Sequence, residues 1–261
     1  MEGRNVVIVT GAANGIGRAF VEHYSRTGDR VVAVDIDESS LSALHTTHGC
    51  VVHNVDVSNE AAIRSLVAET IAAYGCIDVF VSNAGILRGV GMAPLEEGPF
   101  TSDADWQQSW DVHVMAHVWA ARHALPHMLK QAGGGTFINI ASAAGLLTEM
   151  SSQVYSTTKH AAVGFSEWLA LHYADQGIQV HCVCPQGVRT PMVLQATKHH
   201  EHLSAGLIEP MDVVHATMDA IEEKSFLVLP HPEVKRYFQN KARDYDWWLG
   251  GMRKLKKRLW G

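Results

Sequence analysis

The stretch NVVIVTGAANGIGRAF, residues 5–20, constrains the fold more than any other part of the chain. A short, continuous β-branched run ends at Thr10 and gives way at once to Gly11-Ala-Ala-Asn14-Gly15-Ile16-Gly17 and a helix-period run. The three glycines have separate tasks. Gly11 permits a tight turn, Gly15 lets an anionic group approach the backbone N–H groups, and Gly17 lets the helix pack closely on the strand. The helix then presents its positive end to whatever the turn holds. A glycine pattern alone is weak evidence; here the strand before it and the helix after it supply the context the mechanism needs.

The rest of the chain repeats that alternation. Continuous apolar runs at Asn5–Thr10, Arg30–Asp35, Cys50–Asn54, Ile77–Ser82, Thr136–Ala141, Ile178–Cys184 and Phe226–Leu229 read as strands covered on both faces. Helix-period runs lie between them at 15–28, 38–47, 59–75, 103–131, 151–176 and 210–224, with Asp56 and Ser58 as N-caps for the third. The pattern predicts an α/β fold: a single-domain Rossmann-type doubly wound parallel sheet of about seven strands with a C-terminal helical extension. The organisation expected is a catalytic domain over 1–230 and a basic, aromatic extension over 231–261. Two stretches read as irregular, 86–102 and 190–210. Each follows a strand's C-terminal end, where open α/β sheets bind ligands, so both are expected to wall a substrate pocket.

Composition narrows the function. Of 261 residues, 47% are apolar and 18% charged, which is globular composition. No window of 18 apolar residues occurs, and the N-terminus lacks the basic and apolar regions of a signal peptide. Cys50, Cys76, Cys182 and Cys184 form no CxxC pair, which suits a reducing, cytoplasmic setting. Cys182 and Cys184 share a sheet face as small core residues. Sixteen histidines include the cluster His199, His200, Glu201 and His202, but no metal-binding spacing, and the cluster reads as a solvated helix face. Net charge is −6, split into +7 over 235–261 and −13 over the remainder. An acidic body argues against nucleic acid as partner.

Asp35 closes the second strand, 18 residues after Gly17. A carboxylate there accepts hydrogen bonds from a ribose and repels a 2′-phosphate, and Ile36 and Asp37 supply no cation to hold one. Arg18 begins a helix and is expected to face solvent. The cofactor predicted is therefore NAD. Asp56 can bond the adenine amino group, with a helix cap as the alternative reading, and Val57 beside it joins the cofactor set.

Tyr155 and Lys159 are four residues apart in a helical run, so one face carries both. A phenol with a pKa near 10 is a poor base at neutral pH, and a nearby ammonium favours its phenolate. Tyr155 would then take an alcohol proton or return it. Ser142 ends the fifth strand, thirteen residues before Tyr155, and its hydroxyl can hold the substrate oxygen.

Thr10–Gly17, Asn83-Ala84-Gly85, Ser142, Tyr155-x-x-x-Lys159 and Pro185–Thr190, in this order, resemble the motifs of the short-chain dehydrogenase/reductase family. The resemblance implies that Asn83, Ala84 and Gly85 steady the sheet beside the cofactor, with Ser82 in place of a common asparagine. It implies that Lys159 bonds the nicotinamide ribose, and that Pro185, Val188 and Thr190 belong to the segment that holds the carboxamide, with Gln186 in a glycine slot. It also implies a homotetramer or homodimer built through the tyrosine helix and the long helix before it. One departure concerns the family asparagine that holds a water linked to the lysine: counting from Trp106, His113 stands there. An imidazole can pass protons, so His113 is a candidate catalytic residue, with simple packing as the alternative. His113→Asn is then expected to retain activity.

The activity expected is NAD(H)-dependent interconversion of a secondary alcohol and a ketone, on a substrate made hydrophobic or bulky by Ile86, Leu87, Leu146, Leu147 and Met150. An NAD-binding sensor or a non-redox epimerase or dehydratase on the same fold is the alternative. The tail, YFQNKARDYDWWLGGMRKLKKRLWG, has three readings: a partner for the acidic body or a neighbouring subunit, a solvated end, or, as the weakest, a helix lying on an anionic membrane. Gly250-Gly251 is expected to break any long helix there.

Overall fold

A computed structural model describes residues 4–89, 101–197 and 206–260. Seven parallel strands make one sheet: β1 (Val6–Thr10), β2 (Arg30–Asp35), β3 (Val51–Asn54), β4 (Val79–Ser82), β5 (Gly135–Ile140), β6 (Ile178–Val183) and β7 (Leu227–Val228), in the order β3-β2-β1-β4-β5-β6-β7. All pairs are parallel, with Ile8 opposite Val32 on one side and Phe80 on the other. Strand order reverses between β1 and β4, so a crevice opens at the C-terminal ends of those two strands.

The helices are α1 (Gly15–Thr27), α2 (Glu38–His48), α3 (Glu60–Tyr74), α4 (Asp103–Trp110), α5 (Ala116–Met128), α6 (Ala144–Leu147), α7 (Gln153–Tyr173), α8 (Pro191–Thr197), α9 (Pro210–Glu222), α10 (Glu233–Arg243) and α11 (Tyr245–Trp260). Period-2 side-chain direction splits each buried strand between two cores. Val7 and Val9 of β1 pack with Phe20, Leu41 and Val213 from α1, α2 and α9. Ile8 faces the other way, with Leu66, Leu125 and Leu169 from α3, α5 and α7. This two-sided cover is why the strands read as unbroken apolar runs.

Four local expectations change. The third helix is capped by Asn59, whose side chain accepts from Ala61 and Ala62 N–H groups; Asp56 instead binds Ser58. The run over 103–131 is two helices joined by a π-helical turn, Asp111–Met115. The stretch after Thr190 begins as helix α8: Pro191 has no N–H to lose at a first helical position, and Thr190 takes the Leu194 N–H on its carbonyl. Helix α11 runs through Gly250-Gly251 without a break, because each mid-helix glycine costs only about 1 kcal/mol relative to alanine and Leu, Met, Arg and Lys flank the pair. Among the described residues no helix is long and apolar enough to cross a membrane. His199, His200, Glu201 and His202, and the middles of both expected loops, lie outside the described residues.

Candidate active site

The glycine turn sits at the crevice and is shaped by close approach. At Gly15, with φ +55°, a Cβ would stand 2.7 Å from Thr190 Cγ2, so the turn touches the loop after β6 directly. At Gly17 a Cβ would fall on the Gly11 carbonyl oxygen. Asn14 is extended and leads into α1, whose first residues Gly15 and Ile16 line the cleft. Asp35 holds the outer end: its Oδ2 accepts from Ala13 N–H at 3.0 Å, and its Oδ1 from Ile36 and Asp37 N–H at 2.7 and 3.1 Å. Arg18 pairs with Glu22 at 3.1 Å on the exposed face of α1.

The segment after β4 is tied to the same turn. Thr10 Oγ1 accepts from Asn83 and Ala84 N–H at 3.0 and 3.2 Å and donates to the Val81 carbonyl. Asn83 Nδ2 donates to the Thr10 and Gly11 carbonyls at 2.9 and 3.1 Å. Asn83 thus uses its amide to fix the floor of the cleft, and Ala84 and Gly85 line it.

Ser142, Tyr155 and Lys159 meet on the opposite wall. Ser142 follows β5 and its Oγ accepts from Ala144 N–H at 3.1 Å, which aims the hydroxyl at the cleft side. Ser142 also hydrogen-bonds Tyr155. Lys159 is buried, its Nζ donating to the Ile140 carbonyl at 2.9 Å and lying 5.7 Å from the Tyr155 ring centre. A lysine cation so close is expected to draw Tyr155 toward phenolate. In the chain by itself burial outweighs that: withdrawal from water raises the phenol above its ordinary value, against the lowering from Ser142. Burial lowers the Lys159 ammonium to about 8.

The π-helical turn aims His113 inward, beneath Tyr155. The two rings meet edge to face at 5.5 Å. Nε2 accepts from Ile86 N–H at 3.0 Å, so Nδ1 carries the proton and donates to Thr158 Oγ1 at 2.8 Å. Thr158 Oγ1 in turn donates to the Val154 carbonyl. Burial, with the Lys159 charge second, holds His113 well below its ordinary value, so it is neutral. Both ring nitrogens are engaged, and passing a proton through this ring would require one of these bonds to open.

The loop Pro185–Thr190 forms the third side. Pro185, Gln186, Val188, Thr190, Pro191, Met192 and Val193 face the glycine turn and the Tyr155 wall across a cleft of about 290 Å³. Asp56, Val57, Thr10, Gly17 and His113 are not on its lining; Thr10, Gly17 and His113 stand behind it, and Asp56 is exposed, with Oδ1 taken by Ser58. Leu146 and Leu147, expected to face substrate, pack instead with Ala162, Val163 and Val234. Met192 and Val193 supply apolar wall in their place. Sequence reasoning did not single out Thr158, which bonds His113, and no local signal marks it.

An extended ligand with an anionic middle fits this cleft: backbone N–H groups and a helix N-terminus face the turn, a carboxylate sits at one end, and hydroxyl, phenol and ammonium sit at the other. The family model described as "short chain dehydrogenase" matches residues 5–201. The chain is 34% identical to 2-(R)-hydroxypropyl-CoM dehydrogenase of Xanthobacter autotrophicus, over 72% of this chain and 76% of that one. It is 31% identical to 3beta-hydroxysteroid dehydrogenase 2 of Eggerthella lenta, over 70% of each. A short chain dehydrogenase/reductase of Burkholderia phymatum, solved in complex with NAD, superposes with a TM-score of 0.83 at 28% identity, covering 93% of this chain and 94% of that one.

Proposed function

The chain belongs to the short-chain dehydrogenase family, and from that premise we propose that it interconverts a secondary alcohol and a ketone with NAD(H), on a hydrophobic or bulky substrate. At the coarser level it is an oxidoreductase acting on CH–OH groups, as its relatives are. One observation carries the finer reading: Ser142, Tyr155 and Lys159 converge on one wall of a cleft whose far end is the glycine turn and Asp35.

A bound nicotinamide dinucleotide supplies the hydride donor or acceptor. The chain's own residues do the rest. The Ser142 hydroxyl holds the substrate oxygen, and Tyr155 takes the alcohol proton as the carbonyl forms, or returns it in reduction. Lys159, held by the Ile140 carbonyl, steadies the phenolate and the nicotinamide ribose. Val188 and Thr190 would hold the carboxamide, Pro185 carries the loop, and Asn83, Ala84 and Gly85 would border the cofactor. Thr10, Gly11, Asn14, Gly15, Ile16 and Gly17 form the pyrophosphate cradle. Asp35 takes the ribose hydroxyls and disfavours a 2′-phosphate, and Arg18, the nearest cation on α1, is paired with Glu22. Asp56 and Val57 belong to the adenine side. His113 acts as a neutral positioning residue, tying Ile86 to Thr158 under the Tyr155 ring.

Beyond the site, residues 1–230 are read as the catalytic unit and 231–261 as an extension. The chain is read as a homotetramer or homodimer: Trp168 and Leu171 leave 48% and 83% of their surface exposed on α7, the tyrosine helix. Four free cysteines accord with a cytoplasmic setting.

The test is NADH formation from NAD across small and bulky secondary alcohols, with NADP in parallel. Turnover with NAD on a subset of alcohols is the expected result. Silence on every alcohol, or turnover with NADP alone, overturns the reading.

A further inference from the structure

The loop that lines the proposed nicotinamide end is fixed from behind by a histidine of the C-terminal extension. His231 follows β7 and is 3% exposed. Its Nδ1 accepts from Gln186 N–H at 3.1 Å, so Nε2 carries the proton. Nε2 stands 3.2 Å from both the Gly187 and the Gly206 carbonyl oxygens and donates to that pair. Two residues on, Glu233 Oε1 accepts from Gln186 Nε2 at 2.9 Å. One ring therefore holds the Gln186–Gly187 dipeptide at both ends, by the Gln186 N–H and the Gly187 carbonyl.

The grip matters because of what that peptide joins. Upstream, the Pro185 carbonyl accepts from Ala143 N–H at 2.8 Å and from Ser142 Oγ at 3.4 Å. Downstream, Val188 bridges to Ile208, with Ile208 N–H on the Gly187 carbonyl and Arg189 N–H on the Ile208 carbonyl. Thr190 then meets Gly15 across the cleft. Gln186 occupies the slot where the resemblance implies a glycine, and Gly187 is not among the left-handed glycines. The course of this backbone is set by hydrogen-bond partners, of which His231 supplies two, with a further contact to the Gly206 carbonyl.

We propose that His231 is a positioning residue that sets the Gln186–Gly187 dipeptide, and through it Val188 and Thr190, to receive the nicotinamide end of the cofactor. His231 lies outside the cleft lining. The proposal rests on the dinucleotide reading given above. It also joins the extension to the catalytic unit through one buried ring.

The experiment compares the full chain with His231→Phe, His231→Asn and His231→Gln for binding of NADH and of ADP-ribose, which lacks the nicotinamide. The Phe variant keeps an aromatic ring and loses every side-chain hydrogen bond. It is expected to weaken NADH roughly tenfold and leave ADP-ribose within about twofold. The Asn variant, which can offer an acceptor at the Nδ1 position, recovers most of the loss. A merely structural role would weaken both ligands together, and that result, or no change for NADH, overturns the proposal. If the Phe variant does not fold, the Gln variant decides: it keeps the donor and loses the acceptor, and an equal loss of both ligands, or none, overturns the proposal. A wild-type chain that binds neither NADH nor ADP-ribose overturns the cofactor reading itself, and this role with it.

Discussion

Lys159 shows what a functional side chain costs when it is held away from water. Burial lowers its ammonium to about 8 from 10.5, so the folded chain holds fewer protons than the unfolded chain between those values. Stability from this group therefore rises with pH across that window, and the full cost is present below pH 8. Lys159→Met is expected to raise stability by roughly 1–3 kcal/mol at pH 7, net of the lost bond to Ile140, with the gap closing toward pH 10.5. Melting temperatures at pH 7 and pH 10 measure it, and a less stable variant at pH 7 refutes it. The same substitution, like Tyr155→Phe, is expected to lower turnover by 10²-fold or more. His117 carries the same sign of pH dependence, in a more acidic window. It is buried, its Nδ1 meets no partner among the described residues, and burial lowers it to about 4. Its folded value lies below its unfolded one, so stability is full above pH 6.5 and falls by roughly 3 kcal/mol as pH drops through 4. His117→Gln should move the acid-unfolding midpoint to lower pH in a circular-dichroism titration; an unmoved midpoint rejects the assignment. The convergence of Ser142, Tyr155 and Lys159 on one wall was legible from the sequence because their spacing encodes it: Tyr155 and Lys159 share a helix face, and Ser142 follows a strand. His231 was not legible, because all it binds lies 25 or more residues away in sequence.

At the scale of elements, strand and helix ends fell within three residues of the pattern wherever a buried face sets the period. The exceptions lie where local chemistry overrides that period. The π-helical turn at Asp111–Met115 inserts its extra residue inside a continuous helical run, and it is the turn that brings His113 under Tyr155. Helix α8 is set by Thr190 and Pro191 at its start, and too few apolar repeats follow to mark it in advance. In the tail, the glycine pair argued against a helix, yet Trp248 packs beside Tyr237 and anchors α11. That packing makes the glycines a tolerated cost. A Cβ at Gly251 would meet nothing within 4 Å and one at Gly250 only the end of Arg253. Gly250→Ala with Gly251→Ala is therefore expected to stabilise α11 by about 1–2 kcal/mol in total, seen as slower amide exchange over 245–260. Gly17→Ala is the contrast, since its Cβ would fall on the Gly11 carbonyl oxygen, a backbone atom that cannot swing aside. That variant is expected to lose at least about 1–3 kcal/mol and cofactor binding together; unchanged NADH affinity counts against the cradle.

For the whole molecule, charge and apolar exposure make separable claims about assembly. The segment 235–261 carries +7 and the remainder −13, so contacts made by the tail with an acidic surface are electrostatic and weaken with salt. The exposed surface of α7 is different in kind. Leu171 is 83% exposed, and Trp168, 48% exposed, stacks on His172 at 4.2 Å. A face of this kind gains from burial whatever the ionic strength, at about 25 cal/mol per Å² of apolar area. The two surfaces thus assign the assembly to different forces. If the oligomer forms through α7, mass by light scattering should stay at dimer or tetramer from low salt to about 0.5 M, where the Debye length has fallen to about 4 Å, and deletion of 245–261 should leave it there. Leu171→Arg with Trp168→Ser should then give a smaller species with the helical content intact, because neither side chain belongs to a core cluster. Dissociation driven by salt or by loss of the tail, with the α7 double variant still assembled, would move the interface to the basic extension. It would also make the acidic body of a second copy the surface that α11 meets.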